Sequence, residues 1–233
     1  MSGRSTARHE SHGDEPTAVP GAPRRGRGRR LAIVVAALVS AALVVAGLVM
    51  VLRPPSGPVD MNGRAVVYDP GSEPSSEELL EMDVVEEIGA RFKVPSVGLN
   101  VPVGVMSMVG DEIKPPGFTS AYLVRNLGVP LEDASNGTVY LAVHSLRGGA
   151  IGPGNYLIDI NQRRARLQPG ELLSVDDVEY RVTGSTRVGK ESLGAERSVW
   201  ANEPGRLVVV TCLQRPQGGP SVDNIVITAE LVT

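Results

Sequence analysis

Two apolar patterns divide the chain. From Leu31 to Leu52 no residue is charged and only Ser40 has a polar side chain. Coiled as a helix at about 1.5 Å per residue, this stretch reaches roughly 33 Å, enough to cross a hydrocarbon core of about 30 Å. From Arg91 onward the apolar residues come in short β-branched runs: Phe92–Pro95, Gly98–Val101, Val139–Val143, Tyr156–Ile160, Leu172–Val175, Glu179–Val182, Leu207–Thr211 and Ile225–Leu231. Pro, Gly, Asn and Asp separate them, as in Gly152-Pro153-Gly154-Asn155 and Gln168-Pro169-Gly170-Glu171, the punctuation of strands joined by turns. The pattern predicts an all-β domain of about eight strands, one closed barrel or sandwich. Helix is expected there only as a turn or two around Ser120–Arg125. With two Phe and one Trp in the chain, Val, Leu and Ile must fill the core.

Between the two patterns, Ser75 and Glu78 have the spacing of a capping box ahead of Leu79–Ile88, so a short helix ending at Gly89 is predicted. Residues 1–30 hold Arg, Gly, Pro, Ser and His with almost nothing apolar to bury, and are expected to be disordered. Pro54, Pro55, Gly57, Pro58, Pro70, Gly71 and Pro74 mark a linker. The division is a tail at 1–30, a transmembrane helix at 31–52, a linker at 53–74 and a folded domain at 75–233, with its barrel core at 91–233.

Charge orients this plan. Arg24, Arg25, Arg27, Arg29 and Arg30 crowd the N-terminal flank of the apolar stretch, and Arg53-Pro54-Pro55 closes the other side. The positive-inside bias puts the N-terminus in the cytoplasm and residues 54–233 outside. A cleaved signal peptide would have an apolar region of about 7–15 residues and a small-residue cleavage site, which Leu48-Val49-Met50-Val51-Leu52 lacks. Beyond the span, 16 Lys and Arg stand against 23 Asp and Glu, an acidic balance that argues against nucleic acid and other polyanions as partners.

Cys212 is the only cysteine, so no intramolecular disulfide can form, and outside the cell a lone thiol is either buried and inert or used. It follows the run Leu207–Thr211, while His144 closes the run Val139–Val143; the other two histidines, His9 and His12, lie in the tail. A thiolate attacks carbonyl carbon, a neighbouring imidazolium stabilises it, and the same imidazolium can protonate a leaving amine. The plainer alternatives are a small buried core cysteine and a strand-end histidine bonded to backbone. One Cys and one His fall short of a metal site, and no cofactor motif is present. Thr211 is read as structural or substrate-contacting, and Trp200 as core packing or a pocket wall.

At these residues the chain resembles the sortases, membrane-anchored cysteine transpeptidases of Gram-positive bacteria. Leu207-Val208-Val209-Val210-Thr211-Cys212 is similar to their strand-borne Thr-Cys signature, and Tyr140-Leu141-Ala142-Val143-His144-Ser145 to their strand-end histidine. The order of elements from Phe92-Lys93-Val94-Pro95-Ser96-Val97-Gly98 through Gln168–Val175 and Tyr180–Thr183 agrees, over about 140 residues, and classes F and E look nearest. The resemblance implies a closed eight-stranded barrel, with Cys212 as nucleophile and His144 as general acid and base. It implies substrates that are secreted proteins bearing a C-terminal Leu-Pro-x-Thr-Gly-type sorting signal. It also implies an acceptor amine on peptidoglycan precursor or pilin.

The family's catalytic arginine lies near the start of the final strand, where this chain reads Pro220-Ser221-Val222-Asp223-Asn224-Ile225. Arg215, three residues past the cysteine, is the nearest substitute and could fold back to bind the oxyanion; Arg147 is a weaker candidate, and Asn224 or Asp223 could hold polar partners instead. Two other functions fit the same residues: a hydrolase with this Cys/His site, and a silent β-domain that binds a cell-surface component.

Overall fold

The computed structural model describes residues 27–52, 57–66 and 73–232. The expected tail as far as residue 26, and residues 53–56 and 67–72 of the expected linker, lie outside the described residues. Two compact units divide at Pro54. In the first, α1 runs Arg27–Leu52; its described side chains cover residues 32–48, and among the described residues no helix is long and apolar enough to cross a membrane.

The second unit is a closed barrel. Its elements are α2 (Ser76–Glu81), β1 (Arg91–Val94), β2 (Leu99–Met106), β3 (Ala121–Val124), β4 (Thr138–Val143), α3 (Pro153–Leu157), β5 (Ile158–Asp159), β6 (Arg164–Ala165), β7 (Leu172–Val175), β8 (Val178–Gly189), α4 (Lys190–Leu193), α5 (Arg197–Trp200), β9 (Arg206–Leu213) and β10 (Asp223–Leu231). The barrel order is β1-β2-β3-β4-β9-β10-β8-β7, closed by β7 on β1, with β5 and β6 paired apart. Closure leaves no open sheet edge. The pairs β2–β3 and β4–β9 are parallel, and the other pairs are antiparallel.

Alternation along β9 sorts its side chains into two cores. Leu207, Val209 and Leu213 join the interior with Phe92, Leu141 and Tyr180. Val208 and Val210 face outward into a second cluster with Tyr140, Ala142, Val199 and Val226, where α4 and α5 lie over the sheet. With both faces covered, β4 is buried at every position, which is why its sequence is a continuous apolar run.

Three local expectations change. Ser120–Arg125 is not helical: Ala121–Val124 is β3, paired with β2 and β4 and buried at all four residues, so burial on both faces erased the strand alternation. The strand expected at Tyr156–Ile160 begins as α3, because Pro153 sits in the first helical turn and the Asn155 side chain accepts from Gly152 N–H at 2.8 Å; only Ile158–Asp159 is extended. The capping box of α2 is present in both directions, yet the helix ends at Glu81, with Met82 as its C-cap, rather than at Gly89. Met82 is fully buried, Asp83 turns with φ 46°, and Val85 then exchanges backbone hydrogen bonds of 2.9 and 2.8 Å with Val105 of β2.

Part of the expected linker is folded against this unit. Residues 57–66 turn about Asp60, which is 1 % exposed. Its carboxylate accepts from the N–H groups of Asn62, Arg64 and Ile151 at 2.8, 2.9 and 3.0 Å. These bonds, that from Arg64 N–H foremost, hold its pKa below the usual carboxylate range. Met61 packs on the interior core.

Two outcomes test this packing. Burial pushes the Tyr180 phenol up to about 12, and its hydroxyl has no hydrogen-bond partner, so Tyr180→Phe should raise stability by about 1 kcal/mol, read as a higher urea midpoint with an unchanged slope. Lys114 and Ser75 pull Glu78 down to about 2. A depressed carboxylate stabilises above its unfolded pKa of about 4.5 and loses that contribution as pH falls toward about 2. The melting temperature of Glu78→Gln should therefore lie below wild type at pH 6 and converge with it near pH 2.

Candidate active site

The parallel pairing of β4 with β9 sets the site. Register runs from Thr138↔Arg206 to Val143↔Thr211, so the next residues, His144 and Cys212, leave the same end of the barrel side by side. Cys212 follows Val208 and Val210 on the outward row, is half-buried, and lines a cavity of about 410 Å³ together with His144. Ile113, Leu193 and Trp200 give the cavity apolar wall, and Asp111, Glu112 and Lys190 stand among its polar lining. Trp200 is both core and wall: it stacks near Tyr140 with centroids 5.7 Å apart, and its Nε1–H donates to the Leu193 carbonyl at 2.7 Å.

Beyond the last ladder pair, side chains continue the lock between the two strands. Ser145 Oγ donates to the Cys212 carbonyl. Gln214 Nε2 donates to the Ser145 carbonyl at 2.8 Å and to its Oγ at 3.1 Å. Both residues are buried, where a hydrogen bond is electrostatically stronger than in water. Gly154 N–H donates to the His144 carbonyl at 2.7 Å. Only glycine fits there: a Cβ at 154 would stand 2.0 Å from Thr211 Oγ1 and 2.9 Å from the His144 carbonyl oxygen.

The β2–β3 connection covers the imidazole. The Pro115 carbonyl lies 2.8 Å from His144 Nε2, and because a carbonyl oxygen only accepts, Nε2 carries its proton in this arrangement. The Phe118 ring packs 4.7 Å from the imidazole at 55°. Lys114 tethers this loop to α2 and to itself, with Nζ 2.8 Å from Glu78 and 2.9 Å from Glu112.

Of the remaining sequence candidates, Thr211 and Asn224 line the same cavity and the others fall elsewhere. Thr211 lies on the inward row, 2 % exposed, with its hydroxyl against Gly154 and no hydrogen-bond partner. Arg215 is exposed in the turn after β9, near Gly219, and does not line the cavity. Arg147 is exposed in the loop after His144. Asp223 pairs with Arg163 at 2.7 Å and approaches Arg187 at 3.9 Å. Asn224 is the residue directly across the ladder from Cys212 and lines the same cavity. The covering loop and the Ser145–Gln214 lock had no signal in the sequence, since both depend on contacts across the barrel. Among the described residues no group of three or more His, Cys, Asp or Glu could hold a metal ion.

No family model matches the chain, and no curated protein matches it. Solved structures similar to it include sortase C-1 from Actinomyces oris, at 21 % identity over 72 % of this chain and 88 % of that one, with a TM-score of 0.48. Listeria monocytogenes sortase A is 21 % identical over 62 % of this chain and 86 % of its own, with a TM-score of 0.43. A Clostridium perfringens sortase D5 transpeptidase is 13 % identical over 62 % and 78 %, with a TM-score of 0.40. The solved structures this chain is similar to are thus sortases.

Proposed function

We propose that this chain is a membrane-anchored cysteine transpeptidase of the sortase type, with Cys212 as nucleophile and His144 as general acid and base. The observation that carries the reading is the parallel register of β4 and β9, which brings the chain's one thiol and the domain's one imidazole to a single half-open cavity.

The chemistry follows from those two groups. The Cys212 thiolate attacks the carbonyl carbon of a peptide bond, and the C=O π pair moves onto oxygen. Collapse of the adduct breaks the C–N bond, and the His144 imidazolium gives its proton to the departing amine. The thioester is then attacked by an acceptor amine, which yields its proton to the imidazole as the new amide forms and the thiolate leaves. The Pro115 carbonyl holds Nε2–H in the resting arrangement, so substrate entry must shift that contact for Nε2 to serve as the proton donor.

The substrate in this reading is a secreted protein with a C-terminal Leu-Pro-x-Thr-Gly-type sorting signal, whose apolar residues suit the wall of Ile113, Leu193 and Trp200. The acceptor is an amine of peptidoglycan precursor or pilin. Residues 31–52 form the membrane anchor, with the arginine-rich tail in the cytoplasm and the barrel outside the cell. Support comes from the uncharged sequence, and from large apolar side chains exposed around α1 from Ile33 to Leu48, a distribution suited to lipid.

The test uses the detergent-solubilised full chain with a sorting-signal peptide library and an amine. Wild type should form a thioester, seen as an added acyl mass on Cys212, and should divert product to the amine. Cys212→Ala should form none, and His144→Ala should lose about 10²–10⁴-fold in turnover. Turnover retained by Cys212→Ala would sink the reading. Cleavage by wild type with no diversion to any amine would make it a hydrolase.

A further inference from the structure

We propose that Asn224 donates its side-chain N–H to the acyl oxygen as Cys212 reacts, filling the part for which the sequence offers Arg215. The role rests on the transpeptidase reading above, and its geometry begins with the β9–β10 ladder. Cys212 and Asn224 are direct partners in that antiparallel pair. Directly opposite residues share a face, with Cβ atoms about 4.5–5.5 Å apart. The shared face is the outward one: Val208 and Val210 of β9 and Val226 of β10 lie in the outer cluster, and Cys212 and Asn224 both line the cavity.

The second observation is the state of the carboxamide. Asn224 is 6 % exposed, and among the described residues its side chain makes no hydrogen bond to protein. Buried polar side chains are nearly always paired. An amide with two N–H donors, buried beside a nucleophile and facing a cavity, lacks an acceptor that a bound acyl group would bring. Its donor is held on a strand at the cavity wall, so little reorganisation is required when charge develops on the acyl oxygen.

The third observation concerns the cations near the thiol. No arginine lines the cavity among the described residues. Arg163 and Arg187 face Asp223, the neighbour of Asn224. Two lysines line the cavity: Lys114 is committed to Glu78 and Glu112, and Lys190 is exposed, whereas Asn224 lies on the strand directly opposite Cys212. Arg215 would have to cross from an exposed turn to reach the sulfur.

The step balances without a further reactant. As the Cys212 Sγ–carbon bond forms, the C=O π pair localises on oxygen, and Asn224 Nδ2–H bonds to that oxygen without giving up its proton. When the C–N or the C–S bond breaks, the pair returns and the hydrogen bond weakens. A neutral donor adds no titrating group to the site.

The test compares two reactions of the same thiol in the full chain. Acylation by the sorting peptide passes through an oxyanion; alkylation of Cys212 by iodoacetamide does not. Asn224→Ala, and Asn224→Leu as a variant of similar volume, should slow single-turnover acylation by about 10²–10³-fold while leaving the alkylation rate and the melting temperature unchanged. Wild-type acylation in both variants overturns the proposal. So does equal slowing of acylation and alkylation, which would mean that Asn224 only shapes the thiol's surroundings. A wild-type chain that is alkylated by iodoacetamide but never acylated by peptide removes the transpeptidase reading, and this role with it.

Discussion

The parallel ladder between β4 and β9 is the constraint on which the site depends. Two strands running the same way end at the same rim, and a register shift of one residue would turn Cys212 from the cavity to the interior row of Val209 and Leu213. The interior core fixes that register, because Leu141, Val209 and Leu213 must face inward together. The Ser145–Gln214 hydrogen bonds repeat the instruction beyond the last ladder pair. The geometry of the site is thus a by-product of barrel packing, and interior residues such as Leu141, Val209 and Leu213 determine it.

What the sequence made legible was whatever local chemistry dictates. The thiol and imidazole stood out by scarcity and by their places at strand ends, and the α2 capping box could be read from Ser75 and Glu78 alone. The all-β class followed from short β-branched runs and turn residues. Illegible were features whose cause lies across the barrel. Ala121–Val124 looked unlike a strand because neighbours cover both its faces. Val85–Ile88 looked helical by spacing, yet backbone pairing to β2 claims it. The position opposite Cys212 could not be named without the register: Asn224 and Asp223 stood as equal polar alternatives to an arginine until the ladder set Asn224 across from the thiol.

The same outward face explains how one groove combines shelter with access. Ala142, Val210 and Trp200 make an apolar floor, while the β2–β3 connection supplies a cover held by the ion pairs of Lys114 and by the apolar packing of Ile113 and Phe118. Such surface pairs contribute little stability each, so the apolar contacts carry most of that attachment.

The hydrogen bonds of Asp60 have a bearing on where this domain begins. Its carboxylate satisfies the Ile151 N–H, and Met61 N–H donates to the Ile151 carbonyl at 2.9 Å; Ile151 stands in the loop that leaves His144 and enters α3. A shortened chain that starts at the α2 cap would keep every barrel strand, but it would strip that loop of its outer brace and unroof the core beneath Met61. The smallest self-sufficient form of the protein is therefore longer at its N-terminus than its strands and helices alone require, and residues 57–66 are part of the architecture that steadies the loop after His144.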